Sequence, residues 1–169
     1  MEDLLQFSKV THKEVTFEEV DLNRVLDELQ EDLDLKISES KAKLEVKVLP
    51  MVKANQAQVK HVFQNLILNS IKFSRKEEPP DIVIDSVCSE DSVDIRVRDN
   101  GIGFKQEYAS KIFKLFQRLH GKDDYDGTGI GLTICSKIMN SHHGKISAQS
   151  EPGKGSVFTL TFPIGETHV

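Results

Sequence analysis

The chain has 169 residues, of which 38% are hydrophobic and 29% charged, and its formal net charge is −5. That composition suits one well-buried soluble domain and excludes an intrinsically disordered chain. The acidic balance argues against a nucleic-acid-binding surface, although local basic groups can still meet a smaller polyanion such as a nucleotide.

Residues 4–10, LLQFSKV, form a short apolar stub, and THKEVTFEEV follows as a polar connector. Residues 1–20 are too little to fold alone, which puts the domain at 21–169. Asp21 can cap a helix whose apolar positions, Leu22, Val25, Leu26, Leu29 and Leu33, recur at helical spacing. Leu44, Val46 and Val48 alternate with Glu45 and Lys47 as in a strand, which Pro50 ends. Asn55 can cap the next helix, which runs through HVFQNLILNSIKFS at 61–74 before Glu77–Pro80 break the chain.

Ile82 and Ile84 mark one alternating run, and Val93, Ile95 and Val97 mark a second, with CSEDS as the hairpin turn between them. DNGIGF follows at 99–104. Residues 105 to about 127 are polar, with short helical pieces such as YASKIFKLFQRL, and a connection of that length is usually a functional lid or a disordered segment. GTGIGL then opens a helix carrying Ile134, Cys135, Ile138 and Met139, with Gly144 closing it. Two strands, KISAQS and SVFTLTF, finish the chain around the turn EPGKG.

Helices do not alternate strictly with strands in this order. The fold class is therefore α+β: a two-layer α/β sandwich whose mixed, mostly antiparallel sheet carries helices on one face. Cys88 and Cys135 lack CxxC or Cys/His spacing and read as buried free thiols in a reducing cytoplasm. No apolar run approaches the roughly 20 residues that span a bilayer, and no signal-peptide pattern opens the chain. The expected location is cytoplasmic, whether the parent protein is membrane-bound or soluble.

Three motifs carry chemistry. In the first, Asn65, Asn69 and Lys72 fall within about 60° of one another on a helical wheel. Val59, Val62, Phe63, Leu66, Ile67 and Phe73 take the broader core-facing arc. The polar line can supply amide oxygens to a hard cation and positive charge to phosphates, or serve simply as a solvated stripe. In the second, a strand delivers Asp99 at its end, and Gly101 and Gly103 let the backbone turn sharply. A buried carboxylate there needs a donor, and a purine exocyclic amine suits it, although Asp-Asn-Gly also makes an ordinary turn. In the third, DGTGIGL places glycines at alternate positions before a helix, where exposed amides meet the positive end of the dipole. It lacks the spacing of a P-loop or a Rossmann fingerprint, and a tight turn alone also accounts for it.

The order of the motifs is more specific than any one of them. An asparagine-line helix, strand-DNGIGF, a segment with IFKLFQRL, and a GTGIGL helix resemble the N, G1, F and G2 boxes of a sensor histidine kinase catalytic domain. The resemblance runs from about residue 21 to 163, including VDLNRVLDEL and SEPGKGSVFTLTFP, and FQRLHGKDDYDGTGIGLTIC is similar to the phytochrome-like subgroup. It implies a Bergerat, or GHKL, ATPase fold shared with gyrase, mismatch-repair and heat-shock chaperone ATPases, with ATP and Mg²⁺ as cofactors. Asp99 is then the acceptor for the adenine amine, with Gly101 and Gly103 shaping its pocket. Asn69 is the metal ligand, Asn65 lines the same site, and Lys72 and Arg118 reach the phosphates. Gly127, Thr128, Gly129, Gly131 and Leu132 wrap the triphosphate, Phe113 and Phe116 form the F box, and Thr159 supports the adenine end.

The implied reaction transfers the γ-phosphoryl group to a histidine on a separate dimerisation domain of a homodimeric parent, with a response regulator downstream. None of the six histidines, at 12, 61, 120, 142, 143 and 168, precedes an acidic residue on a long helix, the family's acceptor context. MEDLLQFSKV resembles the end of the second dimerisation helix, which implies a monomeric chain that binds ATP without phosphorylating itself. Two alternatives share the fold. A self-sufficient GHKL ATPase places a glutamate where Asn65 stands, and an amide cannot take a proton from water. A serine kinase of the anti-sigma-factor type is disfavoured by the helix stub. MNSHHGKI carries one glycine where relatives show two, and MVKANQAQV lacks a capping aspartate, departures that leave the nucleotide residues intact.

Overall fold

The computed structural model describes residues 16–114 and 131–164. The elements run β1 (Glu18–Asp21), α1 (Leu22–Asp32), α2 (Asp34–Ser40), β2 (Lys43–Val46), β3 (Met51–Ala54), α3 (Gln56–Lys72), β4 (Asp81–Cys88), β5 (Ser92–Asp99), α4 (Gly131–Ser141), β6 (Lys145–Glu151) and β7 (Gly155–Pro163). Five strands form one sheet in the order β2-β4-β5-β7-β6. Only β2 and β4 pair in parallel; the remaining pairs in this sheet are antiparallel.

Strand alternation decides which face the helices cover. Ile82 and Ile84 of β4, Val93, Ile95 and Val97 of β5, and Phe158, Leu160 and Phe162 of β7 are buried. They share the core with Leu22, Val25, Leu26 and Leu29 of α1, Val59 to Ile67 of α3, and Ile134 to Met139 of α4. The opposite face is polar: Arg96 forks onto both Asp85 oxygens at 2.7 and 2.9 Å, and Thr161 Oγ1 donates to Asp94 at 2.7 Å. One buried face and one solvated face make the sandwich two-layered. No described helix is long and apolar enough to cross a membrane.

The caps fall where the side chains predict. Asp21 accepts from the Asn23 amide and Asn55 from the Gln58 amide, each satisfying a helix-start donor and worth about 1 kcal/mol. Other details depart from expectation. β1 and β3 pair with each other in a separate two-stranded sheet, so Glu18–Asp21, which begins at the end of the polar connector, and MVKA are both strands. Phe73 leaves the core arc to cap α3, and Ser70 is buried in that arc instead. Cys88 is exposed rather than buried, because it ends β4 beyond the core, whereas Cys135 is buried. Burial pushes the Cys135 thiol up to about 12, which makes it unreactive.

The segment expected as a lid is anchored at its start. Two 3₁₀ turns cover Gln106–Tyr108 and Lys111–Phe113. Gln106 donates to Ala148 O at 3.1 Å and accepts from Ser150 N at 2.9 Å, closing the free edge of β6 as a short strand would. Ile112 is buried, and Phe113 meets Phe158 edge-on with ring centroids 6.3 Å apart.

The end of α4 is built on His142 and His143. His143, at φ 60°, takes the left-handed position, a conformation rare without a glycine. Gly144 is needed for a different reason: a Cβ there would lie 2.1 Å from Thr161 O. His142 is 3% exposed and has both ring nitrogens engaged. Nδ1–H donates to Ile138 O at 2.7 Å and Nε2 accepts from Asn55 N at 3.0 Å, which assigns the neutral tautomer. Phe17 packs edge-on against the ring at 4.9 Å, and Asn55 Nδ2 donates to Thr16 O at 3.1 Å.

Burial lowers the His142 pKa against the weaker raising effect of the Ile138 carbonyl, and neighbouring His143 adds to the lowering. The folded state therefore binds fewer protons at this site than the unfolded chain. Its contribution to stability is complete above about pH 6.5 and is lost as pH falls through the lower folded value. Replacing His142 with phenylalanine should lower the urea midpoint at about pH 7.5, and the gap from wild type should narrow at about pH 5. A gap that widens on acidification contradicts the neutral-histidine assignment.

Candidate nucleotide site

The turn at Asp99 and Gly131, the described end of the third motif, both meet the second half of α3. Its helical repeat turns Ser70 inward beside Asp99, at the end of β5, and its terminal carbonyl, Phe73 O, accepts from Ile102 N at 2.9 Å. At the other end of this stretch Asn65 faces the start of α4. A Cβ on Gly131 would sit 3.1 Å from Asn65 Oδ1, so a glycine lets the two helices meet there. Asn65 Nδ2 turns back to His61 O at 3.2 Å.

Asp99 is the most constrained of these groups. Its Oδ1 accepts from Gly101 N at 2.9 Å and from Ser156 N at 3.2 Å. Among the described residues its Oδ2 has only the Ser70 hydroxyl, at 3.2 Å, and that single proton is shared with Leu66 O at 3.0 Å. Burial raises the Asp99 pKa, opposed by hydrogen bonds from Gly101, Ser70 and Ser156. A desolvated carboxylate with one under-supplied oxygen is an acceptor for an external N–H donor.

The glycines after Asp99 are required by close backbone approach. A Cβ on Gly101 would lie 2.6 Å from Phe73 O. Gly103 has φ +66°, and a Cβ there would lie 2.1 Å from Glu151 O. Ile102 O between them accepts from Gly153 N at 2.7 Å, binding this turn to the β6–β7 turn.

Lys72, on the last turn of α3, is half-buried with Nζ 5.1 Å from the Phe73 ring centroid. Asn69 is half-buried, and among the described residues nothing hydrogen-bonds its carboxamide. No group of three or more His, Cys, Asp or Glu side chains among the described residues is arranged to hold a metal ion. One carboxamide oxygen suits a Mg²⁺ ion that keeps water and phosphate ligands, so the donor set fits a cation that arrives with a polyphosphate. Leu132 is half-buried and packs against the core.

Thr159 is not brought to this cluster. It pairs with Arg96 on the polar face of the sheet, whereas Ser156 pairs with Asp99 and shares the core face with Phe158. Ser156 Oγ also lies 2.8 Å from Ser150 Oγ, whose own oxygen accepts from Phe104 N at 2.8 Å. Ser70 and Ser156 are thus the site residues that sequence reasoning missed. The signals were present: a serine inside an apolar helical arc, and the first core-facing position of the last strand. Phe116, Arg118, Gly127, Thr128 and Gly129, with His12, His120 and His168, lie outside the described residues.

Residues 54–166 match the family model described as histidine kinase-, DNA gyrase B-, and HSP90-like ATPase. The chain is 42% identical to cyanobacterial phytochrome A of Nostoc sp. (strain PCC 7120) over 165 residues, covering 98% of this chain and 21% of that protein. It is also 42% identical to phytochrome-like protein Cph1 of Synechocystis sp. (strain PCC 6803) over 165 residues, covering 98% and 22%. The chain therefore spans about a fifth of the length of these curated relatives. Among solved structures, the catalytic domain of histidine kinase ThkA superposes with a TM-score of 0.74 at 29% identity, covering 88% of this chain and 98% of that one.

Proposed function

Because the chain belongs to the histidine kinase-, DNA gyrase B-, and HSP90-like ATPase family, we propose that it binds ATP with Mg²⁺ and transfers the γ-phosphoryl group to a histidine on a separate helical domain. The observation that carries this reading is the under-supplied Oδ2 of Asp99, held beside the asparagine helix that abuts the glycine start of α4. Asp99 accepts from the adenine amine, and the turn through Gly101 and Gly103 brings main chain against the base. Asn69 would hold the Mg²⁺ ion with Asn65 lining the same site, and Lys72 and Arg118 would supply positive charge to the phosphates. The amides from Gly127 to Gly131 meet the phosphates at the positive end of α4. When bound, Mg²⁺ would neutralise charge on the phosphates. The protein's own share is positioning and electrostatic stabilisation, as in other phosphoryl transfers.

Asn65 favours transfer over hydrolysis. Its carboxamide cannot accept a proton, and its Nδ2 is held by the His61 carbonyl at 3.2 Å. A water attacking the γ-phosphate lacks general-base assistance typically worth about 10²–10⁴-fold. The acceptor imidazole supplies its own nucleophile and is carried by the dimerisation domain of a homodimeric parent, with the segment ahead of β1 as the connection. From there the phosphoryl group passes to a response regulator.

Calorimetry with and without Mg²⁺ tests the cofactor half of the proposal. ATP should bind more tightly with the metal, and Asn69→Ala should remove that increment while leaving adenosine affinity within about twofold. An intact Mg²⁺ increment in the variant contradicts the ligand assignment.

A further inference from the structure

Arg75 lies just beyond α3 and belongs to none of the nucleotide motifs. Its planar guanidinium reaches three acceptors. Nε donates to Asn100 O at 2.9 Å, Nη1 to Gly153 O at 3.2 Å, and Nη2 to Glu78 Oε2 at 3.0 Å. Asn100 Nδ2 donates to the same Glu78 oxygen at 3.3 Å and to Pro79 O at 3.2 Å, while Asn100 Oδ1 accepts from Asp81 N at 2.9 Å. The result is a clasp between the end of α3, the turn after Asp99 and the β6–β7 turn.

The first of these bonds bears directly on Asp99. The Asn100 carbonyl and the Gly101 N–H belong to one rigid peptide unit. Arg75 holds the carbonyl end of that plane, and the N–H end donates to Asp99 Oδ1 at 2.9 Å. A cation on the carbonyl also polarises the unit and strengthens its N–H as a donor. With Oδ1 committed to Gly101 and Ser156, Oδ2 is left facing Ser70 as the free acceptor.

We propose that Arg75 is a positioning residue for purine recognition, fixing the Asn100–Gly101 peptide and through it the orientation of the Asp99 carboxylate. The inference rests on the adenine reading of Asp99. It predicts that Arg75 controls discrimination for the exocyclic amine rather than overall affinity for triphosphates. Lysine cannot replace it, because one ammonium cannot hold three acceptors in a fixed plane.

The test compares ATP with inosine triphosphate, which carries an oxygen in place of the adenine amine. Both are titrated by calorimetry into the whole chain, as wild type, Arg75→Ala, Arg75→Lys and Glu78→Ala. Wild type should prefer ATP. Arg75→Ala should weaken ATP about tenfold and inosine triphosphate by less than about twofold, so that the preference collapses, and Arg75→Lys should recover little of it. Glu78 is exposed, so Glu78→Ala loosens the same clasp with little risk to folding and should move the ratio in the same direction. An unchanged ratio in both alanine variants overturns the Arg75 proposal while the adenine reading stands. A wild type without preference for ATP overturns the adenine reading and this inference with it.

Discussion

Asp99→Asn should weaken ATP binding about a hundredfold and leave the fold intact. An asparagine oxygen can still accept from Gly101 and Ser156, the donors that define Oδ1. The amide nitrogen then replaces Oδ2, and two N–H donors would confront each other where the proposed adenine amine would enter. The loss combines a missing charge-assisted hydrogen bond with a donor left unpaired in a desolvated site, which sets the magnitude. Stability should hold or rise, because burial already disfavours the ionised carboxyl at this position. Calorimetry and a thermal melt on the same samples separate the two effects. An affinity within about threefold of wild type contradicts adenine recognition by Asp99.

Gly103→Ala should damage the fold near the site severely. Its φ of +66° costs a non-glycine residue about 1–2 kcal/mol before any contact is considered. The added Cβ also lies 2.1 Å from Glu151 O, a backbone atom held within β6. The turn must therefore move away from the β6–β7 turn, breaking the Gly153 N–H bond to Ile102 O. A total of about 3 kcal/mol corresponds to a fall of about 6–12 °C in Tm for a chain of this size. A midpoint within about 2 °C of wild type contradicts the tight approach of these turns.

The elements that could be read in advance are those with a strong periodic signal. The α3 arc from Val59 to Ile67 and the β4–β5 hairpin each bury the residues that their spacing marks. β1 and β3 escaped because each spans four residues, carries charges at Glu18, Glu19 and Lys53, and pairs only with the other. α2 has no buried residue and so no apolar face to reveal it.

At the site, Asp99, Gly101 and Gly103 were legible because local chemistry demands their types: a carboxylate at a strand end and glycines at a forced turn. Arg75 was not, since the two acceptors that tie it to the site are backbone carbonyls 25 and 78 positions away, and carbonyls carry no sequence signature. Thr159 and Ser156 differ by strand parity alone. Alternation from Phe158 through Phe162 puts Ser156 on the buried face and Thr159 on the polar one.

The measurement that tests the central claim most directly mixes this chain with γ-labelled ATP, Mg²⁺ and a separately supplied helical acceptor domain bearing the histidine. The predicted result is label on that domain which is lost in acid and retained in alkali, as phosphohistidine requires, and which is absent with Asp99→Asn. Release of inorganic phosphate without labelled acceptor, at the same rate whether or not the acceptor domain is present, would contradict the account and identify the chain as a hydrolase.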